Sequence, residues 1–248
     1  MRFLWWLIAG VSCARAAQSP IVYSLDASIA AFDVMTRDAA GNLYLAGAAT
    51  SANFPATPGA YQTKYHANTC SLGSERFSCG DAYVIKLDPA GKLLFATLLG
   101  GSGDDRALAI ALDAAGYIYI TGATGHLDNQ ANDFPITEGA LFPQPAPPVE
   151  NGTGFYYDGF LSILSPDGSQ LIYSTYLPAM VGPALALDLQ KNIYLAGDVD
   201  PYNSSMRPTP GAFQTKPSSS PGELTALLMK LRPGGTMLAY ATYLGDPV

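Results

Sequence analysis

The sequence predicts an all-β protein built from repeated four-stranded units, and three observations lead to this class. The chain contains 25 Gly and 19 Pro among 248 residues, a share above the average of about 12% that favours many turns. Its apolar runs are about six residues long, rich in Ile, Val, Leu and Tyr, and none has a helical period. Related segments recur at a fixed spacing, with Gly41, Gly116 and Lys191 in equivalent positions, which is typical of stacked structural units.

Residues 1–16 are predicted to be a secretory signal peptide. Arg2 gives a positive start, residues 3–11 are apolar, and the small side chains of Ala14 and Ala16 suit a signal peptidase. The apolar run is too short for a bilayer core that needs about 20 residues, so no transmembrane segment is expected. An alternative is a lipoprotein signal in which Cys13 is acylated. The protein is therefore expected to be secreted or held at the cell surface.

Charge and cysteine content narrow the class of partner. Charged residues make up 13% of the chain, the net charge is −7, and Lys and Arg do not cluster, so nucleic-acid binding is excluded. After cleavage, Cys70 and Cys79 remain as a pair in an oxidising compartment, which predicts a disulfide. A disulfide that closes a loop of about ten residues is expected to stabilise the folded state by roughly 2.7 kcal/mol. The CxxC spacing of zinc sites is absent.

Each unit is predicted to hold four strands. Residues 17–29 form an N-terminal segment with a spare strand at 21–25. In residues 107–112 small and large side chains alternate, which is typical of a tapering interior, so the first strand of each unit is expected to be innermost. Counted from that strand, the units lie at about residues 30–100, 107–177 and 184–245.

Tight turns are predicted where Asp and Gly lie three residues apart, as at residues 88–91 and 113–116. The Asp side chain can accept hydrogen bonds from nearby backbone, and Gly can adopt a positive φ. Lys191 replaces the Gly in the third unit, so that turn is expected to be strained or differently shaped.

Four-stranded sheets that repeat with both faces covered are typical of β-propeller blades. A β-propeller of about three four-stranded blades is therefore the predicted fold. Residues 81–91 (DAYVIKLDPAG), 98–105 (LLGGSGDD) and 54–62 (FPATPGAYQ) resemble the bacterial, seven-bladed SBBP-type β-propeller repeat. The resemblance implies an exported bacterial propeller with no assigned general chemistry and no family-wide catalytic residues. Residues 177–182 (LPAMVG) depart from the family's glycine and aspartate run in the third unit.

Three blades are fewer than the four to eight that close an ordinary propeller. There are three alternatives. Two chains could pair into a six-bladed ring, an open arc could dock on a partner, or the chain could be part of a larger ring whose sequence is truncated near Val248. An open arc exposes the apolar faces of its first and last blades. Self-association through these open blade edges is therefore predicted.

Three long insertions, at about residues 50–80, 123–157 and 198–222, predict the functional face. Each falls between the second and third strands of its unit, so all three are expected to emerge at one end, and loops on a rigid scaffold commonly carry binding groups. The motif that begins at Phe54 recurs in every insertion and is expected to pack on its own blade. The predicted binding residues lie in the parts that differ between copies: His126, Asp128, Asn129, Asn132, Asp133, Tyr156 and Tyr157.

Some of these side chains carry oxygen ligands suited to calcium. The spacing matches no EF-hand loop, and Asp and Asn are also common in exposed turns. No cofactor is therefore assigned, and calcium remains an alternative. Its predicted ligands are Asp104, Asp105, Asp128 and Asp133.

The sequence favours an exported, non-enzymatic binding or scaffold module whose long loops contact an extracellular protein or polysaccharide. The alternative is a secreted hydrolase or lyase that uses acidic residues on the same loop face. Only His66 and His126 offer bases at neutral pH, and neither lies in a nucleophile motif such as GxSxG. A structural surface-layer or adhesion role is a third interpretation.

Overall fold

A computed structural model describes residues 26, 28–66, 69–72, 75–127, 132–147, 155–218, 220 and 223–245. The predicted signal peptide and the spare strand lie outside these residues. Every helix or strand among the described residues is a β-strand. The strands are β1 (Ala30–Arg37), β2 (Leu43–Ala49), β3 (Thr69–Leu72), β4 (Glu75–Ser78), β5 (Asp81–Leu87), β6 (Leu93–Leu99), β7 (Asp104–Leu112), β8 (Ile118–Leu127), β9 (Phe155–Leu164), β10 (Leu171–Leu177), β11 (Met180–Leu187), β12 (Ile193–Val199), β13 (Thr225–Leu231) and β14 (Leu238–Leu244).

Twelve of these strands form three antiparallel sheets. Sheet 1 has the order β1-β2-β5-β6, sheet 2 the order β7-β8-β9-β10, and sheet 3 the order β11-β12-β13-β14. The remaining two strands, β3 and β4, form a hairpin inserted between β2 and β5. The predicted all-β class and its repeated four-stranded sheets are thereby confirmed.

The sheets pack together by one repeated step. β7 packs against β1, β2 and β5 of sheet 1, and β11 packs against β7, β8 and β9 of sheet 2. Each junction encloses an apolar core, with Tyr44, Val84 and Phe160 between sheets 1 and 2. Leu161 and Leu195 belong to the core between sheets 2 and 3. The first strands of sheets 2 and 3 therefore each cover the face of the sheet before them.

The turns between the first and second strands share one geometry. The backbone N–H of Gly41, Gly116 and Lys191 each donates to the Asp carbonyl three residues earlier, at 2.9–3.0 Å. All three residues have a positive φ, with 64° at Lys191. Of the two expectations for this turn, the different shape is wrong, because the turn keeps its geometry. The strain is confirmed, because a non-glycine residue adopts the left-handed conformation, at a cost of about 1 kcal/mol. The Lys191 ammonium pairs with the Asp113 carboxylate at 2.8 Å and ties sheet 3 to sheet 2.

Candidate functional site

The insertion end is the end of the sheets at which the second strand of each passes to the third. Backbone hydrogen bonds bring the sheets together there, since the Asp105 N–H donates to the Gly80 carbonyl at 2.6 Å. The Ala179 N–H donates to the Asp158 carboxylate at 2.8 Å. The turns between the first and second strands, and between the third and fourth strands, lie at the opposite end. All three insertions therefore share one end of the molecule.

The recurrent motif forms a strap along the outer strand of its own sheet. In the first insertion, the Thr57 N–H donates to the Ala96 carbonyl at 2.9 Å, and the Ala96 N–H donates to the Thr57 hydroxyl at 3.1 Å. Thr137 and Thr209 repeat this exchange in the other insertions. Unpaired edge strands can template aggregation. The strap occupies those edge groups, so it is part of the architecture. The three straps are residues 54–62, 134–142 and 206–214.

Two buried carboxylates face each other where sheet 1 meets sheet 2. Asp81 is the first residue of β5, Asp105 is the second residue of β7, and both are 0% exposed. A Cβ at Gly100 would lie 2.9 Å from Asp81 Oδ1 and 2.6 Å from Asp105 Oδ2. The missing side chain at Gly100 thus lets both carboxylates approach the same point. We call Asp81, Gly100 and Asp105 the acidic junction.

The first insertion holds Asp81 in place. Its Oδ2 accepts from Gln62 Nε2 at 3.0 Å and from the His66 backbone N–H at 3.1 Å. The His66 ring lies over the same oxygen, with Nδ1 at 3.5 Å. Gln62 Oε1 accepts from the Gly100 N–H at 3.0 Å. The strap, the insertion and the acidic junction therefore form one hydrogen-bonded network.

Asp105 is held by the glycine run that precedes it. Its Oδ2 accepts from the Gly101 N–H at 2.7 Å. Ser102 turns the next backbone N–H and its hydroxyl toward Asp133 Oδ1, at 2.6 and 2.9 Å. The run of small residues thus binds carboxylates of its own chain, as consecutive backbone N–H groups can bind an anion.

Burial dominates the electrostatics of the acidic junction. It raises the pKa of Asp81 to about 6, while hydrogen bonds and charge from His66 lower it and the Asp133 carboxylate raises it further. Burial raises the pKa of Asp105 well above its ordinary value, against hydrogen bonds from Thr124 and Gly101. One oxygen of each carboxylate, Asp81 Oδ1 and Asp105 Oδ1, makes no hydrogen bond with any described residue. Ionising these groups therefore opposes folding.

The equivalent positions in the other sheets are less acidic. Strand register makes Asp158 and Thr225 the counterparts of Asp81. Asp158 is buried too, and its Oδ1 accepts the N–H groups of Ala146 and Ala179. The counterpart of Asp105 is Met180, which is fully buried. Since the fold accepts methionine at this place, stacking the sheets does not require the carboxylate of Asp105.

The structure places the predicted binding residues in two settings. His126 is buried, and Asn132 Oδ1 accepts from the Thr124 hydroxyl at 3.1 Å, so both support the second insertion from inside. Asp133 is exposed and Tyr157 is 39% exposed, and both remain accessible at the insertion end. Asp128 and Asn129 lie outside the described residues, and Tyr156 lies in β9 with its side chain outside them.

The predicted calcium ligands do not form a metal cluster in the described part of the chain. Asp104 Oδ1 accepts from the Gly80 N–H at 2.7 Å, and its Oδ2 accepts from the Tyr157 hydroxyl at 3.0 Å. Asp104 thus links sheets 1 and 2. Among the described residues, no group of three or more His, Cys, Asp or Glu is arranged to hold a metal ion. Asp128 lies outside those residues, so the calcium hypothesis stays a prediction.

The predicted disulfide between Cys70 and Cys79 is confirmed, with the two Cα atoms 5.2 Å apart. It joins β3 to the residue that follows β4. The Tyr65 hydroxyl donates to the Cys79 carbonyl, and Gly80 follows directly with its contacts to Asp104 and Asp105. The disulfide therefore anchors the hairpin beside the acidic junction.

Sequence reasoning missed Gln62, Asp81 and Gly100 as members of the site. Gln62 lies in the strap. Because the strap motif recurs in every insertion, the sequence indicates a role in packing and gives no information about the contacts of the Gln62 side-chain amide. Gly100 opens the glycine run that precedes two aspartates. That run was the available signal, because consecutive small residues before acidic ones permit a close approach of backbone to carboxylate.

No protein-family model matches the chain, and no curated protein matches it. The described residues contain no helix that is long and apolar enough to cross a membrane.

Proposed function

We propose that the chain is an exported binding or scaffold module in which three propeller blades present a rigid insertion end to an extracellular protein or polysaccharide. The observation that carries this proposal is the hydrogen-bonded network around Asp81, which fixes the first insertion on its sheet. A loop that is ordered before binding loses less conformational entropy when it binds.

The packing step favours blades over a layered sandwich. β7 lies on the face of sheet 1 and β11 on the face of sheet 2, so the step from β1 to β7 is repeated from β7 to β11. A repeated packing step is also what the blades of a propeller make. The bond between Arg106 and Asp33, with Nε to Oδ2 at 2.8 Å, links the first strands of sheets 1 and 2. This arrangement agrees with the resemblance to SBBP-type repeats.

Exposed tyrosines supply contact area at the insertion end. Tyr157 is 39% exposed and Tyr202, in the third insertion, is 53% exposed. Tyrosine combines a rigid apolar ring with a hydroxyl, and it contacts partners at a low cost in side-chain entropy. With charged residues at 13% of the chain, the surface suits a neutral partner better than a polyion.

A hydrolase or lyase is the second candidate, and the raised pKa of Asp81 is the observation in its favour, since perturbed carboxyl groups are common in active sites. Asp81 and Asp105 are both 0% exposed. A substrate would reach them only if the insertion that carries His66 moved away. The geometry therefore supports binding better than catalysis.

Cosedimentation of the purified protein with insoluble peptidoglycan, chitin and cross-linked dextran tests the proposal. We expect the protein to be retained on at least one of these polysaccharides. Tyr157→Ala and Tyr202→Ala should lose this retention, whereas Ile172→Ala, an exposed control on β10, should be retained like the wild type. Retention that survives both tyrosine substitutions overturns the binding site. Release of soluble sugar that Asp81→Asn abolishes supports the hydrolase instead.

If no polysaccharide retains the protein, a photo-crosslinking residue at position 202 tests for a protein partner on intact cells. The proposal predicts a discrete adduct there that is absent when the same residue is placed at position 172. Equal labelling from both positions, or none from either, would overturn it.

A further inference from the structure

The outer face of sheet 3 points away from sheet 2, and no described residue covers it. Two shallow depressions of about 220 and 610 Å³ lie side by side on this face, and Leu228 lines both. We call it the free face. Its principal apolar residues are Tyr194, Leu228, Tyr240 and Leu244, with Phe213 from the third strap.

The equivalent faces of sheets 1 and 2 are covered by the next sheet in the chain. Phe95 of sheet 1 packs over Gly168, and Tyr173 of sheet 2 packs over Gly235, each glycine lying in the turn between the third and fourth strands of the following sheet. A Cβ at either glycine would lie 2.5 Å from the ring. Phe95 and Tyr173 are 6% and 4% exposed, whereas Tyr240, their counterpart in sheet 3, is 36% exposed.

The straps show the same contrast. The Tyr61 N–H of the first strap donates to the Gly168 carbonyl of sheet 2 at 2.9 Å, and the Tyr61 ring packs against the core between these sheets. Phe213 occupies the same strap position in sheet 3 and is 88% exposed. The free face thus carries the residues of a sheet–sheet junction without the following sheet.

The complementary half of this junction is exposed at the opposite side of the same chain. Phe32 and Met35 of β1 are 55% and 61% exposed. Their counterparts in β7, by strand register, are Ala107 and Ile110, which are buried against sheet 1. β1 therefore presents apolar side chains where each later first strand contacts the sheet before it.

We propose that two copies of this chain associate head to tail, with β1 and the β5–β6 turn of one copy covering the free face of the other. Gly91 in that turn has a left-handed φ of 83°, like Gly168 and Gly235 in the equivalent turns. It therefore presents backbone without a side chain for the Tyr240 ring to pack on. A second copy is the occupant because one chain carries both halves of a junction that it already uses twice. Such an interface is heterologous, and it closes into a ring or extends into a filament according to its rotation.

Sedimentation velocity of the purified protein over a range of about 1–200 µM tests the proposal. We expect reversible association, weakened about tenfold or more by Tyr240→Glu on the free face and by Met35→Glu on β1, since a charge in a buried apolar contact costs at least about one decade in affinity. Ile172→Glu, on an exposed strand position outside both surfaces, is the matched control and should associate like the wild type.

Mixing the two variants separates head-to-tail association from other modes. Tyr240→Glu retains an intact β1 surface and Met35→Glu retains an intact free face. We therefore expect a one-to-one mixed complex at concentrations where each variant alone, with its self-association weakened, stays monomeric. Monomeric wild type over the whole range overturns the proposal. So does association that both substitutions leave unchanged, or the absence of a mixed complex. Phe213→Ser, at a position 88% exposed, replaces Tyr240→Glu if that variant fails to fold by circular dichroism.

Discussion

Replacing Asp81 by Asn should stabilise the protein at neutral pH and change its stability little near pH 4. The Asp81 carboxyl is buried, and its pKa is raised from 3.8 to about 6. Because the folded pKa lies above the unfolded one, this group's contribution to stability is fully present below pH 3.8 and is lost as the pH rises through about 6. The free energy of unfolding therefore falls between these two values.

The size of the effect follows from the two pKa values. Each pKa unit corresponds to about 1.4 kcal/mol, so Asp81 removes roughly 3 kcal/mol of stability between acid and neutral pH. Ionisable groups around it are His66, Asp133 and Asp105. An Asn side chain keeps an oxygen for Gln62 and His66, and its amide would face the Asp105 carboxylate across Gly100. We expect Asp81→Asn to recover about 2–3 kcal/mol at pH 7.5.

Urea unfolding at pH 4.0, 5.0, 6.0 and 7.5, with the disulfide intact, measures this difference. Asp167→Asn is the control of opposite sign, because hydrogen bonds from Ser165 and Ser169 lower the pKa of Asp167 to about 2. That carboxylate's contribution is present above pH 3.8 and is lost as the pH falls toward 2, so removing it should destabilise the protein at pH 7.5. A wild type and an Asp81→Asn variant with parallel pH profiles would refute the reasoning.

Three further substitutions test the packing. Gly168→Ala should lower the free energy of unfolding by about 2–4 kcal/mol, because the new Cβ would meet the Phe95 ring and because the left-handed φ strains a non-glycine residue. Gly59→Ala is the control: its φ is 83° but the space around it is open, so it should cost only about 1 kcal/mol in the same urea titration. Thr57→Val should cost about 1–2 kcal/mol because the Ala96 N–H loses its acceptor, whereas Thr57→Ser should restore most of it. Cys79→Ser should lower the melting temperature by an amount equivalent to at most about 2.7 kcal/mol, and an unchanged melting temperature would show that the hairpin unfolds before the sheets do.

The sheets were predictable because their signals are local. Alternating or continuous apolar runs bounded by Asp and Gly fix each strand within a few residues, and equal spacing makes neighbouring units similar. The end at which the insertions emerge follows from strand parity alone. The acidic junction was not predictable, because it joins residues 62, 81, 100 and 105, which lie on two sheets. Only the packing of β7 on β5 brings those positions together, and that register is a tertiary property.

The two internal junctions differ in a way that bears on how copies would meet. Between sheets 1 and 2, Asp81 faces Asp105. Between sheets 2 and 3, Asp158 accepts the Ala179 N–H, and the counterpart of Asp105 is the buried Met180. Buried polar contacts add little stability but can specify one arrangement over another.

On the free face of sheet 3 and on β1, uncharged residues occupy the positions equivalent to Asp81 and Asp105. The counterpart of Asp81 on sheet 3 is Thr225, and the counterpart of Asp105 on β1 is Ala30. A copy that docked through β1 would therefore place alanine against threonine and bury no carboxylate there. A buried carboxylate facing Ala30 would remain unpaired, whereas Thr225 leaves no charge to neutralise. The free face of sheet 3 consequently suits β1 better than it would suit a strand such as β7, which would bring Asp105 into an apolar surface.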